Sequence, residues 1–147
     1  MSAFLCVIAL GTLAADTGRM ETCERISMIS EASGVPTHIV LATAMVESRM
    51  NKDARSGAGA VGTLQILRKW HCVGDNECDV EKVGVRLLRK LYLKYGSWDM
   101  AWCHYSAGNK CTKSGQKYSA KVRARVLRFW RWNLDLDEGL RPPRRLK

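Results

Sequence analysis

The chain has 147 residues, enough for one domain with a buried core, and 46% of them are hydrophobic, which excludes disorder as the default. Lys and Arg number 24 against 14 Asp and Glu, giving a formal net charge of +10. A surplus of this size favours an anionic partner, such as nucleic acid, an acidic membrane surface or an anionic cell-wall polymer. Charge alone does not choose among these partners.

The N-terminal segment 1–15 has the pattern of a secretory signal peptide. Its apolar run over 4–10 is followed by small residues that suit cleavage after Ala14 or Ala15, and the run is too short to span a bilayer. No Lys or Arg precedes the run. The alternative is therefore an apolar N-terminal helix that packs on the domain.

The cysteines also favour export to the periplasm or the extracellular space. Cys6 lies inside the predicted signal, and no Cys-x-x-Cys motif is present, so disulfides in an oxidising compartment fit better than a metal site. Cys72 is close in sequence to Cys78, and Cys103 to Cys111, while Cys23 competes for Cys78. Five cysteines outside the signal leave one unpaired, and the sequence does not fix the connectivity. The residues concerned are Cys23, Cys72, Cys78, Cys103 and Cys111.

The first half of the chain is predicted to be helical. A first helix spans 21–32 and ends at Gly34, and a second runs from Thr37, its predicted N-cap, to about Met50. A polar, glycine-containing loop follows. Residues 62–69 are then expected to form a short helix.

The second half of the chain is also predicted to be helical. An amphipathic helix is predicted over 80–95 and ends at Gly96. Ser97 is expected to cap a helix through about Tyr105, and the last long helix is expected over 118–132. The sequence therefore predicts an all-α chain without an extensive sheet.

The predicted helices define a domain over 16–137 and a basic tail over 138–147. The long loops after Met50 and after Tyr105 can flank one cleft. The tail contains two prolines and is expected to be a loose arm. We expect a monomer with no transmembrane anchor.

The position of Glu47, beside apolar residues, is unusual for a carboxylate. It follows the apolar run 39–46 and, at helical spacing, shares a surface with Val40, Thr43 and Ala44. Because desolvation disfavours the charged form, its pKa is expected to lie above that of a free glutamate. A general acid that protonates a leaving oxygen near neutral pH needs such a pKa. The alternative is a glutamate at a helix end that points into water.

Three short motifs follow one another in the chain. They are Glu47-Ser48, the Gly-Thr-Leu-Gln-Ile segment at 62–66 and the His-Tyr-Ser-Ala-Gly-Asn segment at 104–109, with Tyr118 beyond. In this order and spacing they resemble the lytic transglycosylases of the soluble transglycosylase (SLT, goose-lysozyme-like) family. That family has a catalytic Glu followed by Ser, a Gly-Leu-Met-Gln-Ile type segment, an Ala-Tyr-Asn-Ala-Gly type segment and a later Tyr. The resemblance covers roughly 37–130 and implies a lysozyme-like helical domain with a cleft.

The resemblance also implies a role for each matching residue. Glu47 corresponds to the single catalytic acid and base, and Tyr118 to the tyrosine that hydrogen-bonds it. Ser48 helps to position the substrate beside Glu47. The residues expected to bind the substrate are Ser48, Gln65, Tyr105, Ser106, Asn109 and Tyr118.

The chain departs from the family pattern at several positions. Thr63 stands where leucine is usual and Leu64 where methionine is usual. His104 replaces a small residue and is expected to have a structural or substrate-facing role. Ser106 replaces the asparagine that bonds a bound sugar, and Asn109 is the nearby residue that can supply an amide.

The resemblance implies cleavage of peptidoglycan at the β-1,4 bond between N-acetylmuramic acid and N-acetylglucosamine, with 1,6-anhydromuramyl ends. One glutamate suffices, and no metal, cofactor or nucleic acid is expected. The candidates for a second carboxylate, Asp53 and Asp99, lack a convincing environment. Partners are glycan strands and the components of a secretion or conjugation apparatus, or of a phage that enters or lyses the cell and acts at the wall.

Two alternatives remain open at this stage. One is a hydrolysing lysozyme on the same scaffold, in which Asp53 helps to orient a water. The other is a non-enzymatic basic protein that binds the wall or nucleic acid, with Phe129, Trp130 and Trp132 as aromatic partners, although these also fit a buried helix face.

Overall fold

A computed structural model describes residues 2–131 and 140–147 of the chain. Over these residues the chain forms seven α-helices and one two-stranded antiparallel hairpin, which confirms the all-α prediction. The elements in chain order are α1 (Ser2–Leu10), α2 (Thr17–Ser33), α3 (Thr37–Ser48), β1 (Ala60–Val61), β2 (Ile66–Leu67), α4 (Arg68–His71), α5 (Val80–Tyr95), α6 (Trp98–Ala107) and α7 (Lys113–Trp130).

Helix α3 is the central helix of the domain. Every residue from Thr37 to Met45 is buried, as expected for a helix that is apolar on all sides. Helices α1, α2 and α7 pack against it, and Trp102 of α6 donates its indole N–H to the Thr43 hydroxyl at 3.2 Å. The core therefore surrounds α3, and the C-terminal end of this helix emerges from the core with Glu47.

The helix boundaries in the second half largely match the sequence pattern. Helix α5 spans the predicted residues and ends at Gly96, whose φ of 81° is the left-handed conformation that glycine adopts without strain. The Ser97 hydroxyl caps α6 by accepting from the Met100 amide at 3.2 Å. Helix α7 begins at Lys113, earlier than predicted, because Thr112 caps it. The predicted helix end at Trp132 lies outside the described residues.

Two local predictions in the first half are wrong. Residues 62–69 do not form a helix, because Gly62 and Gln65 have φ values of 82° and 52° and form the turn between β1 and β2. The Arg68–His71 helix begins only after this hairpin. The N-cap of α3 is Pro36 and not Thr37, which is the first helical residue.

All six cysteines are paired. The local pairs Cys72–Cys78 and Cys103–Cys111 are both present, as the spacing indicated. The third disulfide joins Cys6 of α1 to Cys23 of α2. The competing Cys23–Cys78 pairing is therefore wrong. The unpaired cysteine was expected for a chain that has lost its signal segment, and that expectation stays a prediction.

The N-terminal segment forms the packed helix that was the alternative to a signal peptide. Cys6, Ala9 and Leu10 of α1 are buried in the core. Cleavage after Ala14 or Ala15 stays a prediction. Among the described residues, no helix is both long and apolar enough to cross a membrane.

The described part of the C-terminal tail, 140–147, packs on the domain. Pro143 is buried, the Arg144 amide donates to the Gly34 carbonyl at 2.7 Å, and the Trp98 indole donates to the Arg141 carbonyl at 2.8 Å. The expectation of a loose arm is therefore wrong for this segment. The predicted domain boundary at 137 lies outside the described residues.

Candidate active site

Glu47 lies in the last turn of α3. The helix ends one residue later because Arg49 adopts a left-handed φ of 54°. The Glu47 carboxylate is half-buried, and its Oε1 accepts a hydrogen bond of 2.5 Å from the Tyr118 hydroxyl of α7. Helix α3 thus brings a carboxylate out of the core and α7 supplies its donor.

Burial changes the acidity of this carboxyl group. Desolvation raises the pKa of Glu47 from 4.5 to about 6, and the hydrogen bond from Tyr118 opposes part of that rise. A carboxyl group with this pKa keeps its proton in mildly acidic solution and still ionises near neutral pH. Both forms are needed if one group acts first as an acid and then as a base.

Two tyrosines form the wall beside Glu47. The ring of Tyr105, from α6, stacks on that of Tyr118 with centroids 6.3 Å apart. The Tyr105 hydroxyl donates to the Leu64 carbonyl at 2.5 Å. Burial, with a smaller contribution from the Glu47 charge, raises the pKa of both tyrosines well above the usual value. Both are therefore neutral hydrogen-bond donors at any pH of interest.

Ser48 and Gln65 connect the end of α3 to the hairpin turn. The Ser48 hydroxyl donates to the Thr63 carbonyl at 2.8 Å and accepts from the Asn51 amide at 3.1 Å. The Gln65 side-chain amide donates to the carbonyls of Gly62 and Ala54 at 2.9 and 3.1 Å. Gln65 therefore uses its N–H groups to hold the loop together, a role that the sequence did not indicate.

The structure connects Glu47, Tyr118 and Tyr105 by direct contacts and links Ser48 to them through the hairpin turn. Glu47 accepts a hydrogen bond from Tyr118, and the Tyr118 ring stacks on Tyr105. Ser48 donates to the same turn that the Tyr105 hydroxyl contacts. Ser106 and Asn109 are exposed, at the end of α6 and in the turn after it. No described hydrogen bond connects either residue to Glu47.

The His104 side chain makes structural contacts at the end of α6. Its ring stacks on Tyr95 at 3.7 Å with an interplanar angle of 2°, and its Nδ1 lies 2.6 Å from the Gly108 carbonyl oxygen. It therefore closes the end of α6, just before the turn that the Cys103–Cys111 disulfide also holds.

A comparison with protein families matches one segment of the chain. The family model described as "Transglycosylase SLT domain" matches residues 24–71, which contain Glu47, Ser48 and Gln65 but neither of the two tyrosines. The matched residues are 48 of the 147 residues, and over this segment the chain is similar to the family. No curated protein matches it.

A solved structure shares the fold of this chain. It is the X-ray structure of an inactive glutamate-to-glutamine mutant of the lytic transglycosylase Slt from Pseudomonas aeruginosa, with a TM-score of 0.59 and 16% identity. The match covers 80% of this chain and 26% of that protein, so this chain spans about a quarter of its length. At this identity the likeness shows the lysozyme-like fold.

The two candidates for a second carboxylate are ion-paired or exposed. Asp53 is exposed in the loop after α3, and its own amide donates to the Asn51 side chain. Asp99 lies in the first turn of α6 and forms an ion pair of 2.5 Å with Arg123. Within the described ranges, no group of three or more His, Cys, Asp or Glu side chains could hold a metal ion.

Sequence reasoning missed the roles of two buried polar residues. Thr63 is fully buried, and its hydroxyl donates to Glu81 Oε1 at 3.1 Å. Glu81 lies in the first turn of α5, where an acidic residue needs no partner to be explained. The departure from leucine at position 63 was the one signal that could have found this pair.

Proposed function

We propose that the protein is a peptidoglycan lytic transglycosylase that uses Glu47 as its acid and base. The observation that supports this most is the environment of Glu47. Its carboxyl group is half-buried, has a pKa raised to about 6 and accepts a hydrogen bond from the neutral Tyr118 hydroxyl. The SLT family match and the shared fold support the same reaction class. In the similar protein, a single glutamate-to-glutamine change gives a mutant described as inactive.

The proposed reaction needs one carboxyl group. Protonated Glu47 donates its proton to the glycosidic oxygen between N-acetylmuramic acid and N-acetylglucosamine, and the bond from that oxygen to the muramyl C1 breaks. The substrate's own acetamido group stabilises the positive charge at C1. Ionised Glu47 then takes the proton of the muramyl C6 hydroxyl, whose oxygen bonds to C1. The 1,6-anhydro ring closes, and Glu47 is protonated again.

The neighbours of Glu47 favour this sequence of steps. Tyr118 donates to one carboxylate oxygen, Oε1, which leaves Oε2 for the exchange of the proton. The neutral tyrosine rings add no positive charge that would keep Glu47 ionised. Asp53 and Asp99, the other candidates, are exposed or ion-paired. A hydrolase of this kind normally uses two carboxyl groups.

We further propose that the enzyme acts outside the cytoplasm and opens the wall locally, for a secretion or conjugation apparatus or for a phage. Three disulfides that pair all six cysteines favour an oxidising compartment. The net charge of +10 favours contact with an anionic wall. Base stacking on Phe129 has no support, because this ring is buried in the core. The Trp130 side chain and Trp132 lie outside the described residues.

The test is mass spectrometry of the muropeptides that the purified protein releases from peptidoglycan. Wild type is expected to release products with 1,6-anhydromuramyl ends, and Glu47→Gln is expected to lose about 10²- to 10⁴-fold of this rate. Glu24→Gln, exposed on α2, is the matched control and should retain the wild-type rate. Reducing ends in place of anhydro ends would identify a hydrolysing lysozyme. Unchanged release by Glu47→Gln would show that the catalytic assignment is wrong.

A further inference from the structure

The buried Thr63–Glu81 pair joins the hairpin turn to helix α5. Thr63 is fully buried and Glu81 is 8% exposed, and their side chains are 3.1 Å apart. A buried carboxylate is costly unless each of its oxygens has a partner. Because Thr63 is a neutral donor that contacts only Oε1, the other oxygen of Glu81 needs a partner of its own.

The second oxygen of Glu81 binds a cation on another helix. Arg25 of α2 donates from Nε to Glu81 Oε2 at 2.6 Å and from a terminal nitrogen to Asp79 Oδ2 at 2.8 Å. Asp79 in turn caps α5 by accepting from the Lys82 amide. The position of the Glu81 carboxylate is therefore fixed from α2 and α5, independently of the turn that it contacts.

On the other side, the backbone of the turn contacts two residues of the candidate active site. The Thr63 carbonyl accepts from the Ser48 hydroxyl at 2.8 Å, and the next carbonyl, of Leu64, accepts from the Tyr105 hydroxyl at 2.5 Å. The side chain of Thr63 thus holds the peptide segment against which Ser48 and Tyr105 are oriented.

Gly84 allows the turn to lie close to α5. A Cβ atom at this position would lie 2.7 Å from Leu64 Cδ1 and 2.9 Å from Leu64 Cβ, closer than such atoms approach in real structures. Glycine at 84 and a hydroxyl at 63 together define how the turn is held. The leucine that is usual in the family at position 63 could not bond to Glu81.

We propose that Thr63 is a positioning residue, held by Glu81, that orients Ser48 and Tyr105 for binding of the glycan. This inference rests on the proposed function. No described hydrogen bond connects the pair to Glu47, so it acts on the placement of the sugar and not on proton transfer. Its loss should weaken substrate binding and leave the ionisation of Glu47 unchanged.

The test compares three variants on a soluble chain of alternating N-acetylglucosamine and N-acetylmuramic acid. Thr63→Val keeps the shape of the side chain but loses the hydroxyl, and should raise KM about three- to tenfold, the factor for one lost hydrogen bond, with kcat and its pH profile kept. Thr63→Ser should restore KM. Thr22→Val removes a buried hydroxyl that donates to the Gly18 carbonyl within α2, and should leave KM unchanged.

A second measurement does not depend on catalysis. Hydrogen exchange of the Asn51 amide, which donates to Ser48, should quicken in Thr63→Val and Glu81→Gln but not in Thr22→Val. An unchanged KM in Thr63→Val, or the same rise in Thr22→Val, would overturn the inference. If wild type released no anhydro product, the proposed function would be overturned instead. In that case, unchanged Asn51 exchange in Thr63→Val would also overturn the positioning of Ser48.

Discussion

Among the described residues, two glutamates are at least partly shielded from water, in two regions of opposite character. Glu47, between α3 and α7, accepts from a neutral tyrosine hydroxyl and has no cation among its described partners. Glu81, between α2 and α5, accepts from the Arg25 guanidinium at 2.6 Å and from a threonine hydroxyl. The residue type is the same, but one neighbour carries a full positive charge and the other does not.

The difference shows how neighbours assign roles to identical side chains. Burial favours the protonated form of Glu47, which can therefore exchange a proton near pH 6. The guanidinium beside Glu81 compensates the negative charge and fixes it as a structural anion. Four measurements can break or sharpen this contrast.

The largest expected effect is on rate. Because protonated Glu47 must donate, kcat/KM for glycan cleavage should fall about tenfold per pH unit above the pKa of about 6. Since half of Glu47 is already ionised at pH 6, this predicts about a fiftyfold loss between pH 6 and pH 8. A pH–rate profile on soluble glycan measures it. A flat profile over this range would contradict the assignment of Glu47 as the acid.

The next largest effect is expected on stability, when Glu81 is replaced. Glu81→Gln removes the charge that pairs with Arg25 and should lower the free energy of unfolding by about 1 to 3 kcal/mol at pH 7. This is below the value for fully buried pairs because the Arg25 side chain is 50% exposed. Urea unfolding measures the change. A variant as stable as wild type would mean that the pair contributes nothing to the fold.

Glu47→Gln should change stability in the opposite direction. The native state keeps the Glu47 proton up to a pKa of about 6 and the unfolded chain only up to 4.5, so the native state binds more protons between these values. The contribution of Glu47 to the free energy of unfolding of wild type is therefore fully present below pH 4.5 and is lost as the pH rises through 6. The variant does not ionise and should exceed wild type by up to about 2 kcal/mol above pH 6.

Urea unfolding of both proteins at pH 4.5 and pH 8 separates this linkage from a general effect of the substitution. The advantage of Glu47→Gln should appear at pH 8 and be absent at pH 4.5. An equal difference at both values would contradict the raised pKa of Glu47.

The smallest expected effect comes from Tyr118→Phe. The hydroxyl lowers the pKa of Glu47 against the effect of burial, so its removal should shift the descending limb of the pH–rate profile to higher pH, by less than about one unit. Tyr105→Phe is the control, because its hydroxyl bonds the Leu64 carbonyl and not Glu47. A shift toward lower pH in Tyr118→Phe would contradict this account.

Patterns over a full helix were sufficient to predict most of the fold. The stripe of α5 and its Gly96 terminus are properties of the sequence itself. The hairpin was missed because each strand has two residues, too few for an alternation to be visible. The turn depends on Gln65 at positive φ, which its own side chain stabilises by bonds to the loop.

Only part of the candidate site could be predicted from the sequence, because some of its residues show no distinctive local pattern. Glu47 is conspicuous because a carboxylate interrupts an apolar run, and the family motifs added Tyr105 and Tyr118. Glu81 lies at a helix start, where acidic residues are common, so only its distance to Thr63 reveals its role. The pairing of Cys6 was missed because its segment also has the composition of a signal peptide.

The Cys6–Cys23 disulfide gives any proteolytic cut between these two residues a particular outcome. Since the bond closes a loop of 17 residues, a protease that cuts after Ala14 or Ala15 produces two peptides that remain one covalent molecule. The cut chain keeps its intact mass, increased by one water, until a reductant separates the fragments. After reduction, the larger fragment has five cysteines, and Cys23 is a thiol without its partner. Mass spectra with and without reductant would therefore distinguish a cut chain that keeps its first helix from one that has lost it.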